Sequence, residues 1–245
     1  MIGIQAYTIR ERLSDLESAL QAMKELKAMG YDCVQLWAWK ELTAIMAEAA
    51  KRAELPVTGI LGSIAEFDEA GDGIFALAQA CGARELGISS AMKTEEEAYD
   101  TIRWCNAFAA RAKEWGLCFS YHNHSNEFIR TPSGKTLMEL LLEGFDKELV
   151  YFMPDTYWLQ HGGVDVRDFL EKLNGRVKTL HLKDMKRTED GPTFAELGVG
   201  NLNFVGILKV ARQIGVVDYI VEQDRCDGSA MESARISCEY LRRLL

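Results

Sequence analysis

The chain is marked first by what it lacks. Its six cysteines, Cys33, Cys81, Cys105, Cys118, Cys226 and Cys238, include no Cys-x-x-Cys pair. Scattered in this way they predict buried thiols in a reducing compartment rather than a disulfide scaffold. No apolar run approaches the roughly 18 residues that a membrane span needs, and the N-terminus has no signal-peptide layout. Positive charge is in deficit as well. Lysine and arginine number 28 against 37 acidic residues, a formal net charge of −9, which argues against nucleic acid as the main partner. The glycine-rich fingerprint that an open dinucleotide-binding sheet carries after its first strand is missing, and Tyr7-Thr8-Ile9-Arg10 stands in its place. The expectation is a soluble cytoplasmic protein.

What the chain does have is alternation. Of its 245 residues 48% are hydrophobic, enough for a sizeable core. Strand-like runs are Ile2–Tyr7, Cys33–Trp37, Pro56–Gly62, Arg84–Ser89, Phe119–His124, Val150–Asp155, Val177–His181 and Tyr219–Glu222. Between them lie helical patterns. The first, capped by Ser14 with Glu17 three residues on, ends at Gly30; another runs from Thr94 to Gly116 with Glu97 completing a capping box. Phe67–Cys81 reads as a helix broken near Gly71 and Gly73, and Asp165 as the cap of a helix through Leu173. A polar loop, Lys186 to Gly200, is the longest excursion and a candidate lid. Eight strand–helix units imply a parallel sheet with right-handed crossovers. In a chain of 245 residues they favour a single closed (β/α)8 barrel, residues 1–245 forming one α/β domain.

Chemistry in such a barrel sits at the C-terminal ends of the strands. Two of only four histidines, His122 and His124, end the fifth run and share a face. Asp155, His181 and Glu222 end three later runs. Four such residues at four strand ends make a poor core and a good divalent-metal site. Mixed imidazole and carboxylate ligands suit Mn, Co, Zn, Fe or Ni. Lys183 shares the face of His181 and is a candidate for holding or polarising a substrate oxygen; a surface salt bridge is its duller reading. Gln5, Tyr7, Gln35 and Trp37 sit at the first two strand ends, Tyr7 and Trp37 as an apolar wall for a sugar ring or as packing. Asp155 beside Thr156 could also simply cap a turn.

Tyr121-His122-Asn123-His124 with Glu127-Phe128, Asp155-Thr156, His181-Leu182-Lys183-Asp184 and Val221-Glu222-Gln223-Asp224 resemble the sugar-phosphate isomerase/epimerase family, whose members are xylose isomerase-like TIM barrels. The opening Gln5-Ala6-Tyr7-Thr8-Ile9-Arg10 resembles that family's first strand. The resemblance spans the whole chain and implies one divalent ion held by a Glu, an Asp, a His and a second Glu. Here Asp155, His181 and Glu222 fill three of those places and His122 replaces the first Glu. Trp158 stands where related enzymes often carry a His, and Gln35 where many carry a Glu.

The resemblance implies an isomerase or epimerase acting on a keto-sugar or sugar phosphate by proton transfer through a metal-stabilised enediolate. Glu222 is the expected base, with His124, or Glu127 if its loop folds back, as second acid/base and Lys183 as a further catalytic candidate. Asn123, Glu127 and Trp158 join Gln5, Tyr7, Gln35, Trp37 and Lys183 as substrate-binding candidates. Loss of the paired glutamates raises a metal-dependent dehydratase of a keto-inositol or keto-sugar as the alternative. A non-catalytic sugar-binding barrel also stands, and an endonuclease is disfavoured by the acidic balance. Oligomeric state is open, although such barrels commonly dimerise or tetramerise.

Overall fold

The computed structural model describes residues 1–245. In chain order its elements are β1 (Ile2–Gln5), α1 (Leu16–Met29), β2 (Cys33–Trp37), α2 (Lys40–Arg52), β3 (Val57–Ser63), α3 (Ile64–Ala70), α4 (Gly73–Cys81), β4 (Glu85–Ser89) and α5 (Glu95–Glu114). There follow β5 (Cys118–His122), α6 (Leu137–Gly144), β6 (Val150–Met153), α7 (Thr156–His161), α8 (Val166–Lys172), β7 (Thr179–Leu182), β8 (Asp184–Thr188), β9 (Gly191–Ala195), α9 (Phe204–Gln213), β10 (Asp218–Val221) and α10 (Ala230–Leu244).

Eight parallel strands lie in the order β6-β5-β4-β3-β2-β1-β10-β7. The remaining seam, β6 against β7, is closed by isolated parallel bridges, Phe152 with Val177 and Asp155 with His181. Phe152 N–H donates to the Arg176 carbonyl at 2.8 Å and His181 N–H to that of Pro154 at 2.9 Å. The expected (β/α)8 barrel is therefore present, and its seam passes between two of the proposed ligands. No helix is long and apolar enough to cross a membrane.

The helices form where caps and apolar stripes coincide. On α1 the buried side chains are Ala19, Ala22, Met23 and Leu26, one face at helical spacing. Truncating a buried leucine such as Leu26 to alanine costs about 2–5 kcal/mol. The helix stops at Gly30, whose φ of 103° is left-handed and suits a residue without a β-carbon. Its N-cap is Asp15, not the expected Ser14: Asp15 accepts from Ser18 N–H at 2.9 Å, and Ser14 donates its hydroxyl to Asp15. The capping box at Thr94 and Glu97, the break between α3 and α4, and the Asp165 cap all stand as expected.

Three local features depart from the sequence reading. A 3-10 segment, Ala6–Arg12, follows β1. A short helix, α7, intervenes between β6 and α8, because Asp155 turns its side chain back to cap it. The polar loop after the seventh barrel strand is partly an antiparallel hairpin, β8 with β9, extending from Asp184 to Ala195. Asp184 anchors this excursion, accepting from the N–H groups of Met185, Gly198, Gly200 and Leu202.

Candidate functional site

The strand ends converge as the parallel register requires. His122, Asp155, His181 and Glu222 are all buried, and each offers one nitrogen or oxygen such that the four atoms lie within 4.8 Å of one another. His122 Nε2 is 4.0 Å from Asp155 Oδ2. His181 Nδ1 is 2.8 Å from Glu222 Oε2, and its Nε2 is 2.8 Å from Gln35 Oε1. A neutral imidazole has one N–H, so it cannot donate to both oxygens. Donation from Nε2 to Gln35 leaves the Nδ1 lone pair facing a carboxylate, an arrangement that a cation between them relieves.

Two further atoms lack partners. His122 Nδ1 and Asp155 Oδ2 are buried with no hydrogen bond, which is costly unless something else satisfies them. Asp155 Oδ1, by contrast, accepts from Trp158 N–H at 3.0 Å. The aspartate is thus both a helix cap and a donor of a free oxygen to the cluster. These residues fit a divalent cation.

Lys183 supplies the balancing charge. Its Nζ lies 3.0 Å from Asp155 Oδ2, 3.1 Å from Glu222 Oε2 and 2.9 Å from Asp224 Oδ1. The contact with Asp155 is an ion pair without an aligned hydrogen bond, so Oδ2 remains unsatisfied in the stricter sense. Burial works against the lysine's charge, but Asp155, Glu222 and Asp224 outweigh it and hold the ammonium firmly protonated. Burial likewise acts to raise the Glu222 carboxyl; the Lys183 ammonium and then His181 overcome it and hold Glu222 well below the usual carboxylate range. Asp155 shares the same ammonium, yet burial wins there and lifts it to about 6. The difference follows from the neighbouring charges: the ionised Glu222 adds to burial in raising Asp155, whereas His181 adds to Lys183 in holding Glu222 down. Burial, then the nearby ammonium of Lys183, lowers His124 to about 4, so at neutral pH it is an uncharged imidazole. Burial and His181 push His122 down too.

Above the cluster is a cavity of about 400 Å³. Of the predicted residues, Gln5, Tyr7, Trp37, His122, His124 and Glu222 line it. Others stand behind the lining. Gln35 does not face the cavity as expected: it accepts from Gln5 Nε2 at 2.6 Å and orients His181. Asn123 bridges strand ends, accepting from Asp155 N–H at 3.1 Å. Glu127 is the clearest correction. Its loop does not fold back; the carboxylate accepts from the Tyr121 hydroxyl at 2.8 Å and His124 N–H at 3.0 Å and is fully buried. It positions the histidine strand. Trp158 packs beside His124, ring centroids 5.2 Å apart, with its Nε1 buried and unpaired.

Ser63, Glu66 and Ser89 also line the cavity and were missed by the sequence reading. Ser63 and Ser89 close the third and fourth strands, so the rule that found Gln5 and Trp37 would have found them. A larger depression of about 700 Å³ lies on the outer wall between α2 and α4. It shares no residue with the buried cluster.

Residues 23–244 match the family described as a xylose isomerase-like TIM barrel. An inosose dehydratase of Clostridium perfringens is 28% identical over 166 residues, covering 60% of this chain and 55% of that protein. The chain therefore spans about half the length of the curated relatives it matches. A sugar phosphate isomerase/epimerase from Parabacteroides distasonis superposes with a TM-score of 0.82 at 25% identity, covering 98% of this chain and 93% of the other. The IolI protein, solved with a bound zinc atom, superposes with a TM-score of 0.74 at 13% identity, covering 99% and 97%.

Proposed function

Because this chain belongs to the xylose isomerase-like TIM barrel family, we propose that it is a divalent-metal-dependent dehydratase of a keto-inositol or keto-sugar. The observation that carries this reading is the asymmetry of the site. One ionised carboxylate, Glu222, faces neutral imidazoles where the resemblance implies a second glutamate. One base and one weak donor fit elimination better than two-sided proton exchange. The likeness to inosose dehydratases supports the same reaction.

His122, Asp155, His181 and Glu222 would hold the cation, and the zinc atom of the IolI neighbour accords with that. When bound, the ion supplies a Lewis acid that lowers the cost of negative charge on the substrate carbonyl oxygen. Glu222 takes the proton from the carbon beside the carbonyl. The C–O bond on the next carbon breaks, and the hydroxyl leaves as water with the proton that Glu222 has taken, while the uncharged His124 ring offers it a hydrogen bond. The remaining enol tautomerises to a diketone, and Glu222 is left ionised for the next turnover. Lys183 keeps Glu222 ionised between turnovers. Tyr7 and Trp37 give the ring an apolar wall.

Epimerisation is the second reading. It is favoured by His124, whose uncharged ring is able to accept a proton from the opposite wall. Metal-loaded protein incubated with inosose and a panel of ketoses in deuterated water separates the two. An unsaturated or diketo product of lower mass supports the dehydratase; deuterium incorporation without loss of water replaces it with an epimerase. Unchanged substrates throughout leave neither.

A further inference from the structure

The charges around the cavity point away from a phosphorylated substrate. The lining includes three carboxylates, Glu66, Glu222 and Asp224, and no lysine or arginine. The cations nearby are already engaged. Lys183 sits among Asp155, Glu222 and Asp224. Arg10 donates to the carbonyls of Tyr7 and Asp224 at 3.0 and 2.9 Å. Lys186 pairs with Asp227 at 2.8 Å, and Arg225 donates to the Thr193 hydroxyl at 3.0 Å.

Barrels that bind phosphate commonly do so after the last two strands, at a helix N-terminus. Here the Ser229 hydroxyl already accepts from Glu232 N–H at the start of α10. The start of α2 has no side-chain cap and bears Lys40. It opens, however, on a neighbouring cavity that also holds Glu41, Glu66 and Glu69.

We infer that the site takes an uncharged, polyhydroxylated ring and rejects its phosphate ester, with Glu66 as a specificity-determining residue. The inference rests on the reading of this cavity as a keto-sugar or keto-inositol site. Asp155, Glu222, Asp224 and Glu66 bring four negative charges to the region, and Lys183, Arg10 and a divalent cation together bring four positive ones. The loaded site has no surplus positive charge to hold a dianion. Hydroxyl groups, by contrast, donate to carboxylates in strong charge-assisted bonds. The carbon face of a ring meets Tyr7 and Trp37, whose rings are 4.8 Å apart edge to face. Glu66 is held for this task. Its Oε2 accepts from Ser63 N–H at 2.7 Å and from the Ser63 hydroxyl at 2.8 Å, which leaves Oε1 without a protein partner.

Calorimetric titration of the manganese-loaded protein with inosose, D-fructose and D-fructose 6-phosphate tests this. The uncharged compounds are expected to bind, with the ester at least about tenfold weaker than D-fructose. Glu66→Gln preserves the capping box, so the fold survives. It should weaken the uncharged ligands by about tenfold and narrow the gap to the ester. An ester that binds as tightly as D-fructose or tighter, with loss of that binding in Lys40→Ala, overturns the inference while leaving the sugar site intact. Unchanged affinities in Glu66→Gln remove the role of Glu66. If neither class binds to protein shown to be loaded, the sugar-site reading falls first and the inference with it.

Discussion

The two ends of the barrel each bury a cluster of charged and polar side chains, and they treat them differently. At the N-terminal end Glu85, the first residue of β4, accepts hydrogen bonds from the hydroxyls of Ser120 and Thr179. Nearby Asp218 pairs with Arg84 at 2.7 Å, and its other oxygen, 3.8 Å from the amino terminus, has no hydrogen-bond partner. At the C-terminal end His122 Nδ1, Asp155 Oδ2 and Trp158 Nε1 have no hydrogen-bond partner, and three carboxylates compete for one ammonium. A polar cluster that closes on itself but for one oxygen serves the fold. One left open by several atoms is built for something that arrives later.

The largest break in this comparison comes from Asp155→Asn. The amide oxygen can still cap α7, but the charged oxygen is gone. Bound metal should fall below stoichiometry, and turnover should drop by about a thousandfold, with the melting temperature nearly unchanged. Elemental analysis beside a product assay checks both. Full metal content in the variant would remove Asp155 from the ligand set.

A smaller but more discriminating effect is expected of Lys183→Met. Removing the buried ammonium leaves Asp155, Glu222 and Asp224 facing one another without a counter-charge. Chelator-treated variant should lose about 3–5 kcal/mol relative to the parent. Added manganese should restore more stability to the variant than to the parent, because the ion then replaces the missing positive charge. Equal stability of the two proteins in chelator would show that the ammonium does not hold the carboxylates together.

The difference between the ends also explains what was legible in the sequence. His122, Asp155, His181 and Glu222 each end an apolar run, and a parallel barrel has only one rim to which such ends lead. The site could therefore be read from strand periodicity and the position of polar residues. Its geometry could not. That Glu127 turns away depends on Tyr121, whose hydroxyl reaches it from within the barrel wall. That Gln35 serves His181 depends on β2 and β7 facing each other across the interior, a contact between residues 146 positions apart in the sequence. The hairpin β8–β9 was hidden because its residues are polar and Gly191 with Pro192 reads as a turn. The basal cluster left no trace at all: Glu85, Ser120, Thr179 and Asp218 lie at strand starts or centres, where a single polar residue gives no signal until the strands are brought side by side.

The smallest predicted effect falls on that basal cluster, where function should not change. Burial raises the Glu85 carboxyl above its ordinary value, and the hydrogen bonds from Ser120 and Thr179 only partly oppose it. A folded pKa above the unfolded one means that the proton's contribution to stability is complete below the unfolded value, near 4.5, and is lost as pH rises through the folded value. Glu85→Gln carries no such proton. Urea unfolding of both proteins at acid and neutral pH isolates the difference, since every other titrating group is common to them. The parent should lose stability relative to the variant as pH rises, while metal content and turnover stay equal. Parallel curves would mean that Glu85 titrates alike in the folded and unfolded chains. A change in metal content would be more telling still, because it would join the two ends of the barrel that the structure keeps apart.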